Sequence, residues 1–401
     1  MSNSIYRLSR TLLACGWIVA FLILTGVTCH HSTQSGGEAI PFVYSEAALN
    51  GRFMGGGISA CPEDTGDGPK FTTFFATLNT DGLGAFSTMQ YVSNTNGVIE
   101  EQEKSGLYEV DTDGNLQLSW EGDMTSAKDG HVIRQGEMAF LNSLHPGDDP
   151  GFQILFELGE AGSYVPGFFH GVYWLYGYGF DMTKFPNNVV TRSVEMIVNI
   201  NSTNNTFNWS RNYWNNWNWV LNEPEFVVYE PGDPLAYSMN ADGMISLFGL
   251  PNLPELRGAI SPGGRLGFLT NLGDDAEPVI FFLSRQVGDH VPAGFKGEYF
   301  ALMQSFSFIN GLHAFTFAEL DFDGVNYFSG DYSSNYTLGI DSGFMDGSFS
   351  MGIVGYMSMK LFATNRTLIG GSNEGDYFAE LITPGGTDND RSPSLTLFLR
   401  R

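Results

Sequence analysis

The chain predicts an all-β protein made of three tandem antiparallel β-meander units, each an up-and-down barrel or a sandwich. Three observations carry this expectation. Apolar residues alternate with a period of two, and no window of about 11 residues holds a helical 3.6 period. Asp-Gly pairs at 81–82, 113–114, 242–243 and 323–324 sit between such runs, and that dipeptide favours the left-handed backbone of a tight hairpin turn. Blocks of different sequence also recur in one order along the chain.

Residues 1–28 come first. Arg7 and Arg10 precede an apolar run from Thr11 to about Val27, with no acidic residue, which is the order of a secretory signal peptide. The run ends in Leu24-Thr-Gly-Val-Thr28-Cys29-His-His-Ser, followed by the polar stretch Thr33-Gln-Ser-Gly-Gly-Glu38. This segment resembles the lipobox of bacterial lipoproteins, with Gly26 where that pattern has Leu and Thr28 where it has a small residue. The resemblance implies cleavage before Cys29, acylation of that cysteine, and a flexible tether over 29–48. It also implies a lipid anchor in the cell envelope, at the outer membrane or cell surface. His30 rather than Asp after the cysteine favours outer-membrane sorting on the same resemblance. Secreted or periplasmic protein and an uncleaved anchor, on a run of about 17 residues at the short edge of a membrane span, are the rival readings. A disulfide from Cys29 to Cys61 would exclude lipidation; otherwise Cys61 is an isolated thiol.

The repeats set the units. Ala76-Thr-Leu-Asn-Thr-Asp81-Gly-Leu-Gly-Ala-Phe-Ser87 matches Ala318-Glu-Leu-Asp-Phe-Asp323-Gly-Val-Asn-Tyr-Phe-Ser329 without a gap, and Val198 to Ser210 is the middle copy. Tyr108-Glu-Val-Asp-Thr-Asp113-Gly matches Tyr237-Ser-Met-Asn-Ala-Asp242-Gly, and more loosely Phe349 to Met359. Phe152-Gln-Ile-Leu-Phe156, Pro278-Val-Ile-Phe-Phe282 and Ser394-Leu-Thr-Leu-Phe-Leu399 read as the strands that end each unit. The expected units are 49–165, 166–291 and 292–401, meeting at Tyr164-Val-Pro-Gly167 and Val291-Pro-Ala-Gly294, where Pro and Gly interrupt pairing.

Each unit opens on Gly-x-aromatic, at Gly51-Arg-Phe53, Gly171-Val-Tyr173 and Gly297-Glu-Tyr299. With the later Asp-Gly hairpins this is similar to small lipocalin- or avidin-like barrels, which implies closed barrels and transfers no binding residue. The rival architecture is a six-bladed β-propeller, since three units of eight strands also make six four-stranded blades. Gly258 to Phe268 looks like a propeller hairpin. The terminal Arg400-Arg401 argues against a membrane barrel.

Composition narrows function. The 401 residues carry 44 acidic against 19 basic side chains, a formal charge of −25. A polyanion would be repelled, so nucleic acid is not an expected partner. Hydrophobic content of 42%, with 33 Phe and 17 Tyr, exceeds that of a disordered acidic chain.

The candidate binding residues lie in the middle unit: Trp209, Tyr213, Trp214, Trp217 and Trp219, interleaved with asparagines. Flat rings beside amides suit a surface that stacks on sugar faces and bonds hydroxyls. Filling of a barrel interior and a membrane or partner patch are the competing readings. His170 reads as an ordinary strand residue. Asp111-Thr-Asp113-Gly114 and Asp321-Phe-Asp323-Gly324 place glycine fourth, not sixth as in a hand-type calcium loop, so hairpins explain them without a metal. The histidines lack zinc spacing, and Gly57-Ile-Ser-Ala-Cys61 lacks the final glycine of a nucleophile elbow. The expectation is a non-catalytic binding or structural module without cofactor or metal, held at a bacterial membrane surface and contacting carbohydrate or a small ligand. The alternatives are a lipocalin-like carrier of a small apolar molecule and a propeller-fold hydrolase.

Overall fold

In the computed structural model, residues 43–61, 70–120, 122–144, 149–181, 190–218, 223–250, 253–272, 277–286, 294–307, 312–336, 339–351, 356–362, 367–373, 377–381 and 394–401 are described. The first sheet contains β1 (Asn50–Cys61), β2 (Lys70–Asp81), β3 (Ala85–Thr95), β4 (Val98–Gln102), β5 (Ser105–Val110), β6 (Asn115–Ser119), β7 (Lys128–Ile133), β8 (Met138–Asn142) and β9 (Gly151–Leu158). The second contains β10 (Gly171–Asp181), β11 (Val190–Asn201), β12 (Thr206–Asn218), β13 (Glu223–Val228), β14 (Leu235–Met239), β15 (Met244–Leu250), β16 (Leu253–Ile260), β17 (Leu266–Asn271) and β18 (Val279–Arg285). The third contains β19 (Lys296–Ser307), β20 (Leu312–Asp323), β21 (Tyr327–Tyr336), β22 (Gly339–Met351), β23 (Tyr356–Leu361), β24 (Thr367–Asn373), β25 (Tyr377–Leu381) and β26 (Ser394–Arg400).

Every sheet closes on itself. β1 pairs with β9, β10 with β18 and β19 with β26, all antiparallel, while β2–β3, β11–β12 and β20–β21 pairings complete the rings. Tandem barrels therefore form, as one of the two sequence expectations held. The six-bladed propeller is not what forms, because separate four-stranded blades could not join β1 to β9 over eight residue pairs running from Arg52↔Leu158 to Ser59↔Gly151. Closure satisfies the backbone N–H and C=O groups that open edges would expose. The central channel on which a propeller-fold hydrolase would depend goes with it.

The first two barrels share a split strand. β3 pairs with β5 at residues 85–87 and with β4 at 91–95, and β12 divides in the same way between β14 and β13. In the third barrel β22 pairs along β21 from Gly339 to Ser348 without such a break.

The Asp-Gly sites are loops longer than the two-residue turn the dipeptide predicts. Gly82, Gly114, Gly243 and Gly324 do adopt φ of 69°, 89°, 83° and 73°, the region glycine alone enters freely. An acidic or amide side chain at the loop start caps the backbone. Asp81 Oδ1 accepts from Leu83 and Ala85 N–H, Asp111 Oδ1 from Asp113 and Asn115, and Asn240 Oδ1 from Asp242 and Met244. Asp323 does the same for Val325, Asn326 and Tyr327. These bonds account for the conserved loop shape with no cation.

The repeated block around Tyr108, Tyr237 and Phe349 closes the entry end of each barrel. Tyr108 Oη donates to Leu49 O at 2.8 Å and Tyr237 Oη to Phe169 O at 3.4 Å, whereas Phe349 lacks a hydroxyl and packs on Phe295 with ring centroids 6.1 Å apart. Leu49, Phe169 and Phe295 are all buried plugs, each two residues before the opening glycine.

Inward side chains fill each barrel separately: Phe53, Leu78 and Leu155 in the first, Tyr173, Met196 and Phe281 in the second, Tyr299, Phe322 and Met359 in the third. The outward faces of the opening and closing strands form a fourth core shared by all three. Met54, Phe152 and Phe156 join Trp174, Tyr178 and Phe282 there, with Phe300, Phe315 and Leu397 from the third barrel. That is why β9, β18 and β26 read as continuous apolar runs instead of alternating ones: both faces are covered. Phe71 stacks on Phe180 with centroids 3.9 Å apart. Gly56 permits the closest approach, since a Cβ there would lie 2.2 Å from the Phe268 ring.

His131 on β7 belongs to this junction, its ring 4.7 Å from Phe300 and stacked on it. Burial, with the Arg401 charge second, lowers its pKa from 6.5 to about 4. An unfolded chain takes up a proton below about 6.5 that the folded imidazole refuses, so His131 contributes a loss of stability as pH falls from 6.5 towards 4. His131→Phe is expected to flatten that part of the acid limb, read as the urea midpoint of both proteins at each pH.

Candidate functional site

The residues that the sequence singled out are placed unequally. Trp209 is only 8% exposed and sits in the interior of the second barrel beside Phe207 and Val198. Tyr213, Trp214 and Trp217 lie on β12 opposite Glu195, Val194 and Thr191, beyond a register shift at Ile197/Val198. Trp219 and Cys29 lie outside the described residues, as do Asp148, Asp274 and Asp275. His170 is exposed, its Nδ1 3.3 Å from Ser202 Oγ. Among the described residues no helix is long and apolar enough to cross a membrane.

A cleft of about 440 Å³ opens instead in the first barrel, at the end opposite Asn50 and the β2–β3 loop. Its origin is the split strand. β4 follows β3, while β6 pairs with β5 only from Leu107↔Ser119 downward, so the wall between β3 and β6 is not bridged above Ser119. Ligand pockets typically span about 300–1,000 Å³, and this one lies within that range.

Trp120, directly after β6, turns into the gap. Its ring lies 5.7 Å from Phe74, 5.1 Å from Phe86 and 5.6 Å from Tyr91, in edge-to-face contacts with each. Its indole N–H donates to Gln153 Oε1 at 2.8 Å, fixing the ring plane across the barrel. Tyr91 stacks on Phe74 at 5.5 Å, and burial pushes its hydroxyl up to about 12, so it stays a neutral hydrogen-bonding group at any physiological pH.

Two cations border these rings. Lys104 Nζ lies 4.1 Å from the centre of the Tyr91 ring, a cation–π placement. The Lys104 backbone is tied to Thr88 through N–H to Oγ1 and through its carbonyl to the Thr88 N–H. Lys128 Nζ donates to Ser143 Oγ at 3.2 Å. Thr72, Ser59 and Ser119 add hydroxyls, and exposed Asp149 stands at the rim. Such a set can stack a flat face, bond polar groups and neutralise negative charge. It holds no paired nucleophile and base.

Register alignment shows what stands at the corresponding positions of the second barrel. Gly57 pairs with Phe74 and Gln153 in the first barrel, as Gly177 pairs with Val194 and Phe281 in the second. On that alignment Thr72 corresponds to Arg192 and Asp149 to Glu277. Arg192 is buried and bonds both Glu277 and Asp181, so an ion triad and the Phe281 ring occupy the space that polar side chains leave open in the first barrel. Burial raises the Glu277 carboxyl to about 8; the Arg192 charge opposes that rise and the Asp181 charge adds to it. In the third barrel a small apolar cavity of about 10 Å³ is lined by Met303, Phe328, Met359 and Phe398.

Sequence reasoning missed the cleft because its parts are scattered. Trp120 is a lone tryptophan far from the aromatic cluster, and Lys104 and Lys128 are unremarkable singly. Their one visible signal was rarity: lysine occurs only at 70, 104, 128, 184, 296 and 360. By register, Val92 and Ser93, the two residues that follow Tyr91 on β3, align with Tyr213 and Trp214 on β12.

No family model matches the chain, and no curated protein matches it. Among solved structures, isotype 1 transferrin binding protein B from serogroup B Neisseria meningitidis overlaps 88% of this chain and 76% of its own at 9% identity, with a TM-score of 0.26. A tryptophan-to-alanine mutant of transferrin binding protein B from Haemophilus parasuis overlaps 86% and 75% at 7% identity, with a TM-score of 0.21. A DUF3598-family protein of unknown function from Nostoc punctiforme overlaps 57% and 94% at 12% identity, with a TM-score of 0.19. Overlaps this low carry no argument about the fold or activity of this chain, which rest on its own residues.

Proposed function

We propose that this chain is a non-catalytic binding protein of the bacterial cell envelope, tethered through acylated Cys29 and taking a small ligand at the cleft of its first barrel. In this reading 1–28 is removed, 29–48 is the tether, and units 49–165, 166–291 and 292–401 pack as one body. The observation that carries the binding role is Trp120, clamped by Phe74, Phe86, Tyr91 and Gln153 beneath an open cleft. Tyr44 N–H bonds Thr112 O at the opposite end of the same barrel, which places the start of the described chain away from the cleft. Tyr213, Trp214, Trp217 and Trp219 are a second set of contacts in this proposal, with carbohydrate as their expected class; Trp209, buried in the second barrel's core, is not among them.

An enclosed carrier finds less support, because side chains fill the described interiors. The anchoring is tested by intact mass on protein from its own membrane fraction, which is expected to begin at residue 29 and carry acyl chains. Cys29→Ala is expected to leave the protein unacylated and with the signal uncleaved at that position; an unmodified soluble product from the parent sequence would overturn the anchor. For the cleft, saturation-transfer NMR against methyl glycosides and small aryl compounds is expected to find binding that Trp120→Phe weakens about threefold to tenfold through lost area and the lost N–H bond.

A further inference from the structure

Among the described residues, the cleft brings two lysines to one group of aromatic rings. Lys104 and Lys128 both line it, and among the described lining residues Asp149, at the exposed rim, is the one carboxylate. Among the described residues no carboxylate lies within ion-pair range of Lys104 Nζ; its neighbour is the Tyr91 ring. A cation held by a ring face keeps N–H donors available, which a salt bridge would consume. The chain's charge of −25 repels large polyanions, so a site of this kind suits a compact anion whose apolar part supplies much of the binding.

We propose that the cleft takes an organic anion in which a carboxylate, sulfonate or phosphate sits beside a flat ring. The ring stacks against Trp120 and Tyr91, and the acidic group meets the Lys104 and Lys128 ammonium groups, with Ser119 and Thr72 as further donors. This rests on the cleft being the binding site and adds the charge of what it binds.

The test is isothermal titration of the full chain in detergent with naphthalene-2-sulfonate and with its neutral twin naphthalene-2-methanol. The sulfonate is expected to bind at least about tenfold more tightly, since a charge-assisted bond is stronger than a neutral one. The double variant Lys104→Gln, Lys128→Gln is expected to remove that advantage and leave the neutral probe unchanged. Trp120→Phe is expected to weaken both probes, and unchanged far-UV and near-UV circular dichroism establishes that each variant folds. Equal affinity for the two probes, with weakening by Trp120→Phe alone, would overturn the anion inference and leave the cleft standing as a site. Binding of neither probe, or binding that Trp120→Phe does not touch, would overturn the cleft and this inference together.

Discussion

Phe152→Ala is expected to lower stability by about 3–5 kcal/mol, the range for truncating a buried Phe, read as a fall in the urea midpoint. Phe152 is 1% exposed although it points out of its own barrel. Its ring lies 5.9 Å from Phe282 of the second barrel and 6.1 Å from Phe315 of the third. Three barrels therefore line any cavity left behind, and none can collapse into it without moving against the other two. The comparison is Leu155→Ala, three residues away on the inward face, which empties one barrel only. The Phe152 variant is expected to separate the unfolding of the barrels into distinct transitions, while the Leu155 variant lowers one barrel within them. A loss below about 1 kcal/mol at Phe152 would mean the outward faces are surface and not core.

Arg192→Met is expected to cost about 3–5 kcal/mol at pH 9, because it takes the bonded cation away from the buried Glu277 carboxylate and from the partly buried Asp181 beside it. The cost is smaller at pH 6. With Glu277 raised to about 8, the folded protein holds a proton between about 4.5 and 8 that the unfolded chain releases. More protons are bound in the folded state, so the Glu277 contribution makes stability fall as pH rises through that window and level off above it. Removing Arg192 also removes the charge that opposes the rise, which carries the window upward. Asp181→Asn acts in the other direction: without the neighbouring negative charge the Glu277 pKa falls and the alkaline slope becomes shallower. Urea midpoints of the three proteins from pH 5 to pH 9 check both signs, and parallel curves would show that the triad does not titrate with folding.

Much of the architecture was legible because it depends on local chemistry. Period-two alternation is a property of single strands, and left-handed Gly82, Gly114, Gly243 and Gly324 mark loops wherever the rest of the chain goes. The match of Tyr108 to Tyr237 and Phe349 was visible as a repeat, though its work in closing a barrel end against Leu49, Phe169 and Phe295 was not. The loop chemistry was half legible: Asp-Gly promised a two-residue turn, while the caps from Asp81, Asp111, Asn240 and Asp323 lengthened it.

By itself, then, the sequence determined the strand period, the loop positions and the order of the repeats. Tertiary structure alone decided that the sheets close as barrels and not as propeller blades, and that outward rings such as Phe152, Trp174 and Phe300 are core. It also decided that Trp120 borders a cleft in the first barrel. The physical reason is that alternation states which side chains share a face of a strand but not what covers that face. An aromatic residue looks the same in sequence whether it meets water, its own barrel or a neighbouring one. Trp120, Tyr91, Lys104, Lys128 and Gln153 become a site only because register brings five different stretches of chain to one gap. The same register sets Arg192 and Glu277 at the matching positions of the second barrel.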